Sequence, residues 1–181
     1  MSYPYLLATL PPLNFRDPAP VQQTGFIELC QNILPDSAIS EITQILGGKT
    51  TKHLIVERYF GYEKSLDHEI VQLRARKLGR SVPLSLDSMP EAPVAEAEEV
   101  MRAHNPREAE QVRLYALWSK LKQLSATQYL NFEALAIYAL QLRLLLRKER
   151  FQDDPGRATL LSLARLVLPA QYITPRAEEN P

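Results

Sequence analysis

The stretch Asn131-Phe-Glu-Ala-Leu-Ala-Ile-Tyr-Ala-Leu-Gln-Leu-Arg-Leu-Leu-Leu-Arg-Lys-Glu-Arg-Phe151 decides the fold. Between Ala134 and Leu146 only Gln141 and Arg143 are polar, and the run holds neither Gly nor Pro, so it reads as a helix apolar on nearly every side. Such a helix has to be buried. At 1.5 Å per residue its apolar part is roughly 20 Å long, short of the ~30 Å hydrocarbon layer of a bilayer, so protein and not lipid must enclose it. Arg143, Arg147, Lys148 and Arg150 set positive charge at the negative end of the helix dipole and mark where the helix reaches water. The predicted fold is all-α, a bundle of about six to seven helices around this central buried helix at 131–151.

Composition supports that reading. The chain has 181 residues, 45% of them hydrophobic, enough for a sizeable core. It has only six Gly, its β-branched runs are scarce, and its 14 Pro fall mostly between periodic segments and near the ends. Lys plus Arg and Asp plus Glu are 21 each, so no net field draws the whole molecule to nucleic acid or an anionic membrane. Cys30 is the single cysteine, which leaves no internal disulfide and no cysteine framework for zinc, as suits a reducing cytoplasm. The first residues lack a basic region and their apolar run is broken by Pro11 and Pro12, a poor secretory signal. No transmembrane segment is predicted.

Working outward, Tyr5 to Leu10 is a short apolar segment packed against the bundle, extended or helical. Asn14 to Pro20 reads as a loop. Thr24 is the expected N-cap of a helix through Phe26, Ile27, Cys30, Ile33 and Leu34, stopped at Pro35. A short helix from Asp36 or Ser37 follows, ended by Gly47 and Gly48. A long helix from Thr50 or Thr51 to Gly79 is expected to carry Tyr59, Tyr62, Leu66, Ile70, Leu73 and Leu78 on its apolar face, with Gly61 as a candidate kink. Residues 81–93, with Pro83, Pro90 and Pro93, form the expected linker between an N-terminal helical part, 1–80, and a C-terminal one, 94–170. The two parts are expected to form one compact unit. The C-terminal part opens with an acidic helix from Val94 to Ala103. Asn105-Pro106-Arg107-Glu108 then starts a helix carrying Ala109, Val112, Ala116, Leu117, Leu121 and Leu124, with Tyr115 and Trp118 expected to enlarge its buried face. Asp154-Pro155 opens a last helix ended by Pro169, and 171–181 is expected to be a disordered tail.

The chemistry legible in these residues is sparse. There is no P-loop, no GxGxxG and no HExxH, and no serine stands in a nucleophile elbow. Glu63, Asp67 and His68 come nearest to a metal or acid/base set, because positions four apart put both carboxylates on one helix face; a solvated face explains them as simply. Cys30 on an apolar face reads as a small core residue. No catalytic residue, cofactor or metal ligand is assigned, and no small-molecule substrate is expected. The sharper feature is Arg74-Ala-Arg76-Lys77-Leu-Gly-Arg80, a basic helix end able to meet phosphates or an acidic partner. Cations also favour any helix C-terminus by about 0.3–1 kcal/mol each, which accounts for much of the pattern. Arg74, Arg76, Lys77, Arg80, Arg147 and Arg150 are the candidate partner contacts. These residues alone do not name a function; a stand-alone binding module using the basic helix end Arg74–Arg80 for an anionic partner is the alternative they leave open.

Five stretches together resemble a known family. They are Tyr5-Leu-Leu-Ala-Thr-Leu-Pro-Pro-Leu13, Phe26-Ile-Glu-Leu-Cys30, Leu66 through Leu73-Arg-Ala-Arg-Lys-Leu-Gly-Arg80, Asn105-Pro-Arg-Glu-Ala-Glu110, and Phe132-Glu-Ala-Leu-Ala-Ile-Tyr-Ala-Leu140 onward. The family consists of small uncharacterised bacterial proteins encoded within operons for V-type ATP synthases. It is loosely similar to the V-type ATPase central-stalk protein that sits on the membrane rotor ring and receives the rotor shaft. This chain is short for the family, with Arg107 and Gln141 where Leu and Lys are expected. The resemblance implies a non-catalytic helical subunit or assembly component of a bacterial V-type ATP synthase, with a place as a socket between rotor shaft and membrane ring. Its implied partners are V-type ATPase subunits and not nucleic acid. Its implied location is cytoplasmic, peripheral to the membrane-bound ATPase, touching the membrane only through the complex and serving ion or proton transport.

Overall fold

A computed structural model of the chain describes residues 3–80, 92–126 and 130–151. The described residues form an all-α bundle without strands: α1 (Tyr3–Thr9), α2 (Gln23–Gln31), α3 (Asp36–Leu46), α4 (Leu54–Lys77), α5 (Val94–Arg102), α6 (Pro106–Ser125) and α7 (Phe132–Glu149). As its composition requires, α7 is central. It packs against α1, α2, α3, α4 and α6, and Leu135, Ala136, Ile137, Ala139, Leu140, Leu142, Leu144 and Leu145 are all buried. One continuous core draws side chains from all seven helices. Each fully buried Leu or Ile contributes about 1.5–3 kcal/mol by leaving water, so α7 is the largest single source of that stabilisation. No described helix is long and apolar enough to cross a membrane.

The helix ends follow local chemistry. The Asn131 side chain accepts from the Ala134 N–H at 3.0 Å, and Asn105 accepts from the Glu108 N–H at 2.8 Å. Glu108 in turn accepts from the His104 N–H at 2.9 Å, tying the residue before the cap back onto the first turn of α6. Two helices end in the same way. After α3, Gly48 takes φ +80° while the N–H groups of Gly48 and Lys49 bond back to Ile45 and Gln44. After α4, Gly79 takes φ +65° while those of Gly79 and Arg80 bond to Arg76 and Ala75. These are Schellman caps, which favour glycine in the left-handed region.

Several expectations are corrected. The N-cap of α2 is Gln22, without a side-chain cap, and Thr24 lies inside the helix; backbone entry from an extended residue suffices there. Ile33 and Leu34 lie beyond the end of α2 at Gln31, in a turn whose N–H groups return to Cys30. The long helix starts at Leu54 behind His53 rather than at Thr50 or Thr51, and its last helical residue is Lys77. Gly61 does not break α4, whose large packed surface absorbs the roughly 1 kcal/mol propensity cost. The N-terminal segment is helical, with Leu6 wholly buried. Residues 81–91, the helix expected after Asp154 and the tail lie outside the described residues.

If α7 is the structural centre, Leu140→Ala should cost about 2–5 kcal/mol in urea unfolding, whereas Asn105→Ala should cost only about 1 kcal/mol. Equal losses would contradict this ordering.

Candidate functional site: a charged cleft between α4, α6 and α7

The bundle contains a ladder of charge. Arg113 on α6 is 10% exposed at its side chain and grips Asp67 of α4 with two hydrogen bonds, Nε to Oδ1 at 2.6 Å and Nη2 to Oδ2 at 2.8 Å. Its Nη2 also reaches Glu63 Oε1 at 3.5 Å, and its Nη1 lies 3.7 Å from Glu110 Oε1. Glu63 is shared with α7, where Arg143 Nη1 stands 3.6 Å from Oε2. Glu110 is shared too, accepting from Arg147 Nε at 2.7 Å. Three helices are thus joined by alternating charge through one guanidinium.

Helix geometry explains the assembly. Glu63 and Asp67 are four apart on α4, Glu110 and Arg113 three apart on α6, and Arg143 and Arg147 four apart on α7, so each pair shares one face. Burial alone would push the Arg113 guanidinium down, but the Asp67 hydrogen bonds and charge, then Glu110 and Glu63, more than offset it and hold the group above its ordinary value. Tyr59, wholly buried beside the ladder, has its phenol raised by burial first and the Glu63 charge second; Arg143, Arg113 and Arg147 pull the other way.

Between these residues lies a cleft of about 500 Å³, walled by α4, α5, α6, α7 and Gly48. Its lining combines the ladder with Arg74 and the apolar Phe60, Ile70, Val71, Val100 and Ala109. Gly48 is held here twice over. Besides its positive φ, a Cβ would stand 2.9 Å from Arg143 Nη2.

The six candidate contacts do not form one patch. Arg74 and Arg147 line this cleft. Arg76 and Lys77 line a second, smaller one with Leu73, Glu98, Met101 and Arg102. Arg76 donates to Gln72 at 3.2 Å and Lys77 to the Met101 carbonyl at 3.3 Å, so part of the basic end of α4 serves internal bonds. Arg80 and Arg150 are exposed and line neither cleft. At the end of α7, Lys148 does not simply emerge into water: it donates to the Phe15 and Asp17 carbonyls, and Glu149 accepts from the Ala19 N–H at 2.6 Å. The loop before α2 is thereby strapped across the helix end.

Glu63 and Asp67 do share a face, but Arg113 occupies both, and His68 bonds instead to Gln72 at 2.8 Å. Among the described residues no group of three or more His, Cys, Asp or Glu is arranged to hold a metal ion. His53 belongs to a separate junction, 2.8 Å from Glu41 and 3.6 Å from Glu133, with its ring stacked on Phe132 at 4.2 Å. Cys30 is wholly buried, and burial pushes its thiol up to about 11. Sequence reasoning missed Arg113 and Glu110. An arginine on the Val112-Leu117-Leu121 helix, beside its apolar stripe, was the available signal.

Comparison of the chain with family models, with curated protein sequences and with solved structures returns no match.

Removing Arg113 leaves Glu63 and Glu110, 14% and 16% exposed, without their shared cation. Arg143 and Arg147 stay beside these carboxylates, so Arg113→Met should destabilise the fold by about 1–3 kcal/mol in urea unfolding. A loss within about 0.5 kcal/mol, typical of surface substitutions, would show that the ladder contributes little.

Proposed function

We propose that this chain is a non-catalytic helical subunit or assembly component of a V-type ATP synthase, working through contacts with other subunits of that complex. One observation carries the reading: the five stretches behind the family resemblance, dispersed from Tyr5 to Leu140, gather into two packed groups. In the first, α1 and the segment after it lie on α7. The Tyr138 hydroxyl donates to the Pro11 carbonyl at 3.0 Å, and the Phe26 and Tyr138 rings are 5.4 Å apart. In the second, Leu66 to Arg80 and Asn105 to Glu110 supply opposite walls of the charged cleft.

The fold also suits a mechanical part. Close-packed interiors have low compressibility and transmit strain, and the Arg113 ladder adds directional cross-links between α4, α6 and α7. In this reading the bundle is a rigid socket between rotor shaft and membrane ring. It would lie at the cytoplasmic face, peripheral to the membrane. The alternative of a stand-alone module built on Arg74–Arg80 is less favoured, because Arg76 and Lys77 already hold internal partners.

An affinity pull-down of the tagged protein from its native host in mild detergent tests the proposal. Recovery of V-type ATPase catalytic and rotor subunits at comparable stoichiometry is the expected result. Recovery of the protein alone, or a fully assembled and working ATPase in cells lacking it, would overturn the proposal.

A further inference from the structure

The least satisfied charge in the described structure is Arg143. It stands in the central helix with its side chain 25% exposed, and its Nη1 is buried without a hydrogen-bond partner. Its nearest anion is Glu63 Oε2 at 3.6 Å, too long for a hydrogen bond, and its flat face lies over the Phe60 ring at 5.5 Å. Leaving the buried Nη1 donors unmet is costly. The Arg113 Nη1 is likewise buried without a hydrogen-bond partner. The Arg143 Nη2 passes close to Gly48, where a Cβ would stand 2.9 Å away.

The cleft is also out of charge balance. Arg74, Arg113, Arg143 and Arg147 face Glu63, Asp67 and Glu110, four cations to three anions. Arg74, exposed at the rim, has no carboxylate partner among the described residues. Arg147 is 43% exposed and spends only its Nε on Glu110. Three arginines with donors to spare, from α4 and α7, therefore line one cleft.

We infer that this cleft is a binding site for a phosphate-type oxyanion, held by Arg74, Arg143 and Arg147. Guanidinium forks match both carboxylate and phosphate oxygens, but a carboxylate presents two oxygens in one plane. Donors arriving from two helices are better met by a tetrahedral group with three or four. A volume of about 500 Å³ and the apolar walls Phe60, Ile70 and Val71 leave room beside the phosphoryl group for a small organic remainder. The inference stands apart from the ATP synthase reading, since it needs no other protein of that complex.

Isothermal titration of the full chain with inorganic phosphate and, separately, with glycerol 3-phosphate tests it. Binding of either probe below about 1 mM is expected, and the tighter of the two tells whether the native occupant is free phosphate or an esterified phosphoryl group. Arg143→Gln should weaken binding at least about tenfold. Arg74→Gln, at an exposed position that does not threaten the fold, should weaken it severalfold, while Arg80→Gln should leave it unchanged. No binding of either probe by about 10 mM, or binding that survives Arg74→Gln and falls with Arg80→Gln, overturns the inference.

Discussion

An 18-residue helix with almost no face to offer water has to be enclosed, and the rest of this structure follows from enclosing α7. Five helices contribute walls. The enclosure carries a consequence, because Arg143 and Arg147 travel inward with the leucines around them. A cation drawn towards a low-dielectric interior must find an anion there or stay at the edge. Glu63 and Glu110 meet them, and Arg113 with Asp67 then completes a ladder no single helix could build. The apolar demand of one helix thereby fixes where the charge of two others must stand.

The ladder sets rotation and register where the apolar core leaves latitude. Leucine packing tolerates modest sliding, whereas a bidentate Arg113–Asp67 pair at 2.6 and 2.8 Å tolerates very little. The α4–α5 contact has its own polar link: burial, then the charge and hydrogen bond of Glu96, push the Tyr62 phenol up to about 12. At the far end of α7, Phe15 lies against Tyr115 and Trp118 and is capped by the Lys148 ammonium. Polar ties at several places therefore hold a core whose interior is almost wholly aliphatic.

Much of the architecture was legible because it depends on local pattern. The run Ala134–Leu146 announced a buried helix, and the Asn-Pro-x-Glu start of α6, the Gly47-Gly48 stop and the Gly79 cap all act within a few residues. The helix starts were less legible where no side chain caps the end, as at Gln22 and His53. The cleft was harder still. Arg74 and Arg147 stood out as charges at helix ends, but their meeting place depends on the relative rotation of α4 and α7, which no local periodicity encodes. Arg113 was invisible for the same reason: its partners lie 46 and 50 residues earlier in the chain. The carboxylates at 63 and 67 suggested a metal or acid/base pair until Arg113 came between them.

Native-state hydrogen exchange tests most directly whether burial of α7 and the charge ladder make one cooperative unit. The expected result is that amides around Leu140–Leu145 in α7, Glu63–Asp67 in α4 and Glu110–Arg113 in α6 exchange only through a shared opening, at a free energy close to that of global unfolding. Exchange of the α4 or α6 segment through an independent, lower-energy opening, with α7 still protected, would contradict it.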